Sequence, residues 1–303
     1  MRDVGIIGGG KWGSALYMAI KQAGYYPKIW SRTHKDIDGF CELDEVLKCK
    51  NLIISIATQS ISEWLKENFK FSGQNILVAS KGIESSTGRF LNEIYTGFVP
   101  SENLCYLSGP SFAAEVIKQL PTALVISSEN KKCSESFLDF FPPFIKVYLS
   151  DDVKGSEIAG AYKNVIAVAG GVCDGLGLGN NARAALITRG LAEMSRFGLF
   201  FGAKMETFMG LSGVGDLFLT ATSDLSRNFR VGKMLAEGKK LDEILSLLGE
   251  TAEGVETARA VVKISFKYAL YTPIANEVVS LLDGKEPQES LARLLVSSKR
   301  EEF

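Results

Sequence analysis

Gly8-Gly9-Gly10-Lys11-Trp12-Gly13 reads as G-x-G-x-x-G. The apolar run Val4-Gly5-Ile6-Ile7 precedes it, and residues 14–20 continue with helical character. Strand, glycine turn and helix in that order make a site for a dinucleotide. Gly8 allows a tight turn, Gly10 removes the Cβ that would block a pyrophosphate, and Gly13 lets helix and strand pack closely. The helix N-terminus then offers N–H groups and a partial positive charge to the phosphates. The second predicted strand, 26–31, runs into Ser31-Arg32-Thr33-His34-Lys35, with no carboxylate before Asp36. A carboxylate there would bind the ribose 2′-hydroxyl of NAD. Arg32, with Lys35 close by, suits the 2′-phosphate of NADP instead. A solvated basic turn is the alternative. The expected cofactor is therefore NADP or NAD, with NADPH use pointed to by Arg32.

Three further segments carry groups that could do chemistry. Ser80-Lys81-Gly82 sets a lysine at the end of a predicted buried strand. Ser108-Gly109-Pro110-Ser111 makes a turn in which Ser111 is expected to cap the following helix. Asp216, with Thr222-Ser223-Asp224-Leu225-Ser226-Arg227-Asn228, sets polar groups and a guanidinium before a helix, a ready anion site. Lys163 lies in an otherwise apolar helix beside Ile158, Ala159, Val165 and Ile166. A lysine there needs a route to solvent or a carboxylate partner. His34 is the only histidine, at the expected adenosine end of the cofactor. A proton for chemistry at the nicotinamide must then come from a lysine, carboxylate, tyrosine or water.

The elements that must position these groups follow from periodicity. Strand signals at 52–56, 75–80, 104–107, 123–127 and 146–149 alternate with helical stretches, which predicts a mostly parallel sheet. Gly8, Arg32, Thr58, Lys81 and Gly109 all fall at strand carboxyl ends, where such sheets bind ligands. After Asp152 the pattern turns helical, with helices predicted at 154–173, 181–198, 204–211, 228–237, 241–248, 255–270, 273–283 and 287–296, and a polar tail at 297–303. The expected fold is α/β: a Rossmann-type doubly wound sheet over 1–152, followed by an all-α substrate-binding domain over 153–303.

Composition excludes several classes. The 303 residues are 46% hydrophobic and carry a net charge of −1, so there is no bulk electrostatic case for nucleic acid or an acidic membrane. No apolar run reaches the ~20 residues of a membrane span, and with a strand signal at residue 4 no signal peptide is expected. The five cysteines are odd in number and form no C-x-x-C. They read as reduced thiols of a cytoplasmic protein, and no metal-ligand set is read.

Together these segments resemble the bacterial NAD(P)-dependent glycerol-3-phosphate dehydrogenase family, over nearly the whole chain. The motifs are GIIGGGKWGSAL (5–16), SKGIE (80–84), LSGPSFAAEV (107–116), EIAGAYKNVIAVAGG (157–171), LSGVGDLFLTATSDLSRN (211–228) and AEGVETA (252–258). The resemblance implies reversible reduction of dihydroxyacetone phosphate to sn-glycerol 3-phosphate by hydride from NAD(P)H, supplying glycerophospholipid synthesis. It implies catalytic work by Lys163, with Lys81 and Asp216. Substrate contacts would come from these three and from Gly109, Ser111, Ser226, Arg227 and Asn228. Cofactor contacts would come from the three motif glycines and from Lys11, Trp12, Arg32, Lys81, Ala113, Arg227 and Glu253. No nucleic acid or membrane partner is implied, and a homodimer stays open. The chain departs from the family in a shorter segment between Asp36 and Cys49, in Ala57-Thr58-Gln59 where a Val-Pro-Ser type turn is common, and in Lys11 where a small residue is frequent. These departures touch the adenosine side and leave the substrate motifs intact. Two other readings share part of the pattern. A β-hydroxyacid or ketopantoate type reductase would share the lysine but need a carboxylate site. A non-catalytic dinucleotide sensor would not need Lys163, Asp216 and Arg227 together.

Overall fold

Seven strands form one sheet in the computed structural model, which describes residues 3–249 and 252–296. They are β1 (Val4–Ile7), β2 (Lys28–Trp30), β3 (Asn51–Ile54), β4 (Asn75–Val78), β5 (Leu104–Ser108), β6 (Thr122–Ser127) and β7 (Ile145–Ser150). The order is β2-β1-β3-β4-β5-β6-β7. The first five run parallel, β6 is antiparallel to β5, and β7 is parallel to β6. The central strands are apolar at nearly every position because both faces are covered. Ile6, Ile53 and Leu77 enter one apolar cluster, whereas Ile7, Leu52, Ile54 and Ile76 enter another. Successive residues thus alternate between faces, as the strand period of two requires.

Short helices connect the strands: α1 (Lys11–Gln22), α2 (Leu43–Leu47), α3 (Thr58–Asn68), α4 (Leu91–Tyr95), α5 (Ala113–Ile117) and α6 (Lys131–Glu135). The chain leaves β1 to one side for β2 and returns to the other side for β3, so the switch point lies at the carboxyl ends of β1 and β3. Backbone bonds fix that point: Gly8 N–H donates to Trp30 O at 2.8 Å, and Ser55 N–H to Ile7 O at 2.7 Å.

The rest is helical: α7 (Val153–Gly175), α8 (Gly179–Phe200), α9 (Met205–Met209), a π turn (Leu211–Gly215), α10 (Asp216–Ala221), α11 (Arg227–Ala236), α12 (Leu241–Leu248), α13 (Glu253–Tyr268), α14 (Pro273–Leu282) and α15 (Pro287–Val296). No described helix is long and apolar enough to cross a membrane. Residues 155–173 of α7 are all buried, as an all-round apolar helix must be. The spacing predicts no helix between 211 and 228, yet the π turn and α10 fill the larger part of that interval. Glycines at 210, 213 and 215 mask the helical signal. The expected polar tail, 297–303, lies outside the described residues.

The chain forms two compact units. The first holds residues up to Lys81 and Leu91–Glu157, and the second holds Gly82–Phe90 and Ile158 onward. The sequence places the division at 152/153; the structure has it inside α7, whose first turn stays with the sheet. Gly82–Phe90 joins the helical unit because Ile83 and Phe90 enter its core. Phe90 packs edge-on against Phe201 at 5.2 Å, and Lys263 Nζ donates to Ser86 O at 2.7 Å. Glu193 of α8 ties three helices together. It accepts from Tyr162 Oη at 2.8 Å and from the N–H groups of Ile274 and Ala275 at 2.8 and 3.0 Å, so it satisfies the first-turn amides of α14.

Ala269, which ends α13, is left-handed at φ 53°, ψ 40°, a conformation strained for any residue with a Cβ. It is exposed, so its methyl packs on little. Ala269→Gly is expected to raise unfolding free energy by about 0.5–1 kcal/mol, the relief of strain less the added unfolded-state entropy of glycine. A urea midpoint that stayed the same or fell would contradict this account.

Candidate active site

The three motif glycines have three different surroundings. At Gly8, with φ +109°, a Cβ would lie 2.5 Å from Ser55 O; at Gly13 it would lie 1.8 Å from Gly8 O. These two glycines are demanded by the protein itself. At Gly10 a Cβ would meet nothing within 4 Å, so the space it leaves open faces outward, where a pyrophosphate would lie. Gly10 is the N-cap of α1, and no side chain caps that helix. The first turn of a helix directs its amides and positive dipole end toward an anion. The turn therefore fits a dinucleotide.

Around the turn, a Cβ on Gly9 would touch Ser31 Oγ and Lys35 Cγ, at 2.9 and 3.3 Å. The basic segment after β2 is thus folded against the glycine turn, with Arg32 exposed on it. His34 packs edge-on against Phe40 at 4.5 Å, and Phe40 bridges to Ile29 of β2. On the other side α1 packs against α5, so Trp12 and Ala113 flank the same apolar cluster.

Lys81, Gly109 and Ser111 meet at one carbonyl. Lys81 Nζ and Ser111 Oγ each donate to Gly109 O at 3.2 Å. Gly109 has φ +101°, and a Cβ there would press on Ala123 O at 3.0 Å. Ser111 is not the helix cap that the sequence predicts. α5 begins at Ala113 with Phe112 as N-cap and no side-chain cap bond, so Ser111 stands one residue before the cap position.

In the helical unit Lys163 is 7% exposed, Asp216 1% and Thr220 4%. Lys163 Nζ donates to Asp216 Oδ1 at 2.5 Å and to Thr220 Oγ1 at 2.9 Å. Thr220 Oγ1 in turn lies 3.3 Å from Asp216 Oδ1. The lysine's partner is thus a carboxylate rather than solvent. Asp216 and Thr220 are four residues apart on α10 and share a face. That spacing is the signal in the sequence that could have found Thr220, which is absent from the predicted site.

The π turn aims this face. A Cβ on Gly213 would lie 2.1 Å from Phe208 O, so only glycine lets the chain tuck under α9 before α10 starts. Glycines also bring α7 and α11 together: a Cβ on Gly171 would fall 1.9 Å from Phe229 O, and one on Gly232 2.0 Å from Val168 O.

Ser226, Arg227 and Asn228 open α11. Ser226 Oγ accepts the Phe229 N–H at 3.2 Å, which caps the helix and leaves its O–H to donate. Arg227 is exposed. Asn228 Oδ1 accepts the Gly254 N–H at 3.0 Å, tying the start of α11 to that of α13, whose first residue is Glu253. The loop before α11 is held by Lys233, which pairs with Asp224 at 3.0 Å and Asp174 at 3.3 Å. Two helix N-termini with their positive dipole ends thus converge beside a guanidinium. Among the described residues no cluster of His, Cys, Asp or Glu could hold a metal.

The glycine geometry separates fold from ligand. Gly10→Ala is expected to fold within about 1 kcal/mol of the parent while losing dinucleotide affinity by roughly tenfold or more. Gly13→Ala is expected to lose more than about 2 kcal/mol of stability. Calorimetric titration and urea unfolding of both variants would test this; full dinucleotide affinity in Gly10→Ala would remove the pyrophosphate from this turn.

Comparison with known proteins agrees with this geometry. Residues 33–134 match the N-terminal family of NAD-dependent glycerol-3-phosphate dehydrogenase, and residues 152–293 match its C-terminal family. A glycerol-3-phosphate dehydrogenase (NAD(P)+) of Campylobacter jejuni subsp. doylei is 57% identical over 292 residues, covering 96% of this chain and 98% of that one. Its namesake in Sulfurimonas denitrificans is 55% identical over 295 residues, covering 97% and 99%. The crystal structure of glycerol-3-phosphate dehydrogenase from Coxiella burnetii superposes with a TM-score of 0.90 at 33% identity, covering 97% and 99%. A ketopantoate reductase from Staphylococcus aureus superposes at only 0.58 and 14% identity, which shows a shared fold and no more. With the buried lysine and the paired helix starts all within the matched residues 152–293, and relatives more than half identical over nearly the whole chain, the chain belongs to the NAD-dependent glycerol-3-phosphate dehydrogenase family.

Proposed function

We propose that this protein reduces dihydroxyacetone phosphate reversibly to sn-glycerol 3-phosphate, using NADPH or NADH. The observation that carries this reading is the buried Lys163–Asp216–Thr220 group in the same unit as the joined N-termini of α11 and α13. The nicotinamide, when bound, supplies the hydride that reaches C2 of the ketone. Lys163 Nζ gives a proton to the carbonyl oxygen; one N–H bond breaks and one O–H bond forms, and the neutral amine regains its proton from water. The reverse direction removes that proton. Asp216 and Thr220 fix the direction of the amine. Only the transition state needs that proton, so the contact contributes to kcat.

Arg227 binds the substrate phosphate through its fork, with the Ser226 O–H and Asn228 Nδ2 as further donors. Binding energy at the phosphate orients the carbonyl for attack. On the sheet unit the glycine turn takes the pyrophosphate, Arg32 takes the 2′-phosphate of NADPH, and Lys81, Gly109 and Ser111 serve substrate and cofactor. The five free thiols support a reducing, cytoplasmic setting. Exposed rings at Phe200 and Phe266 support a homodimer.

Oxidation of NADPH and NADH with dihydroxyacetone phosphate, against unphosphorylated dihydroxyacetone, tests the reading directly. Equal use of both ketones would refute the phosphate site. Lys163→Ala is expected to lower kcat by roughly 10²–10⁴-fold with dinucleotide affinity unchanged. Near-normal turnover in the folded variant would move the proton donor elsewhere.

Arg227→Ala is expected to raise KM for dihydroxyacetone phosphate and lower kcat as well. Arg227→Lys should recover part of the loss, because the ammonium keeps charge without the fork. Turnover of dihydroxyacetone should hardly change in either variant. An equal loss for both ketones would assign Arg227 to the cofactor or the fold.

A further inference from the structure

Glu157 lies in the first turns of α7, within the sheet unit, and is 8% exposed. Its Oε1 accepts the Asn92 N–H at 2.8 Å. Its Oε2 is inaccessible and meets no hydrogen-bond partner among the described residues, and the same holds for Ser80 Oγ, Ser108 Oγ and Tyr106 Oη. These four residues line one cavity, together with Lys81 and Ser156. Ser156 is already bonded to Ser127, Oγ to Oγ, at 2.6 Å, and Lys81 Nζ donates to Gly109 O.

Buried polar atoms are almost always bonded to protein or to ordered water. Here four polar side chains with an unpartnered atom line a single cavity. The cavity gives a water centre about 10 Å³, room for about one molecule, and a water in a polar site of this kind makes two to four bonds. The two serines have a special place in the chain. Ser80 immediately precedes Lys81, and Ser108 immediately precedes Gly109.

The charge state of Glu157 follows from what surrounds it. Among the described residues no cation pairs with it. Glu93 of α4 repels it, Lys154 on its own helix attracts it, Tyr95 and Tyr106 pack near it, and Lys81 shares the cavity. Burial pushes its carboxyl well above the usual range. A neutral carboxyl has an O–H to donate, which a carboxylate lacks.

We propose that Glu157 is a positioning residue, bonded to one internal water shared with Ser80 and Ser108, and that this water fixes the chain segments carrying Lys81 and Gly109. The proposal rests on the reading of Lys81 and Gly109 as site residues. Glu157 itself touches neither substrate nor cofactor. Its effect reaches turnover through the orientation of the Lys81 amine and the Gly109 carbonyl, where a shift of about 1 Å costs up to ~10²-fold in rate.

Two variants and two structural readouts test it. In an infrared difference spectrum of wild type against Glu157→Gln, a protonated-carboxyl C=O stretch is expected at pH 7. A crystal structure of the wild type is expected to show one water bonded to Glu157, Ser80 and Ser108. Glu157→Gln keeps a donor and an acceptor, so kcat should stay within about threefold. Glu157→Leu should lower kcat by roughly ten- to hundredfold at equal folded fraction, with dinucleotide affinity unchanged. Absence of the carboxyl band, a dry cavity, full turnover in Glu157→Leu, or equal damage by Gln and Leu would each overturn the proposal. Where Glu157→Leu fails to fold, the band, the water and the Gln variant decide. Lys81→Met separates the two readings: normal turnover there would refute the role of Lys81 and leave the band and the water in place.

Discussion

A lysine in the middle of a buried apolar helix is the constraint around which the helical unit is built. An isolated ammonium at that depth is prohibitively costly, whereas one held by a carboxylate and a hydroxyl is not. Asp216 and Thr220 meet the requirement from one face of a six-residue helix. Removing one member of such a pair costs about 3–5 kcal/mol, because the other is left uncompensated. That stake explains why so irregular a segment precedes α10. The π turn and its glycines put the start of α10 at the one rotation that faces Asp216 toward Lys163.

The same helix carries the second part of the site through close contact of backbones. Gly171 and Gly232 let α7 and α11 approach until no Cβ fits between them. This brings the start of α11, with Arg227 and Asn228, into the same unit as Lys163 by rigid packing rather than by a loop. Gly254 completes the arrangement. A Cβ there would fall 2.8 Å from Asn228 Oδ1 and 2.7 Å from Asn164 O. Lys163, the Arg227-Asn228 segment and two helix starts are thus parts of one packed core, and packing of this kind holds side chains to the tolerance that the proposed hydride transfer needs.

Most of this was legible in the sequence where a local rule controls the outcome. The glycine turn follows a strand and opens a helix, so its three glycines can be given separate duties: Gly8 and Gly13 stand in the crowded backbone contacts expected of them, and Gly10 borders open space. The central strands read as unbroken apolar runs, and α7 as a largely apolar helix with a lysine in its middle. Legibility ended where tertiary contacts decide. α10 is too short and too flanked by glycine to show a period, so Thr220 escaped notice even though Asp216 did not. Ser111 reads as a cap, but α5 starts one residue later than its sequence signal, with Phe112 at the cap position. Gly82–Phe90 reads as a continuation of the sheet domain, and only the apolar side chains of Ile83 and Phe90 reveal which core it enters.

The bare start of α1 has a consequence beyond catalysis. A helix whose N-cap is glycine, with no side chain closing its first turn, is an unfinished piece of structure, and the phosphates of a dinucleotide are what would finish it. Folding and cofactor occupancy are then thermodynamically linked. Free dinucleotide at a hundred times its Kd would add about 2.7 kcal/mol to the stability of the chain. In a cell the redox carrier would act partly as a structural component, and a shortage of it would shorten the lifetime of the protein before it limited the rate of the reaction.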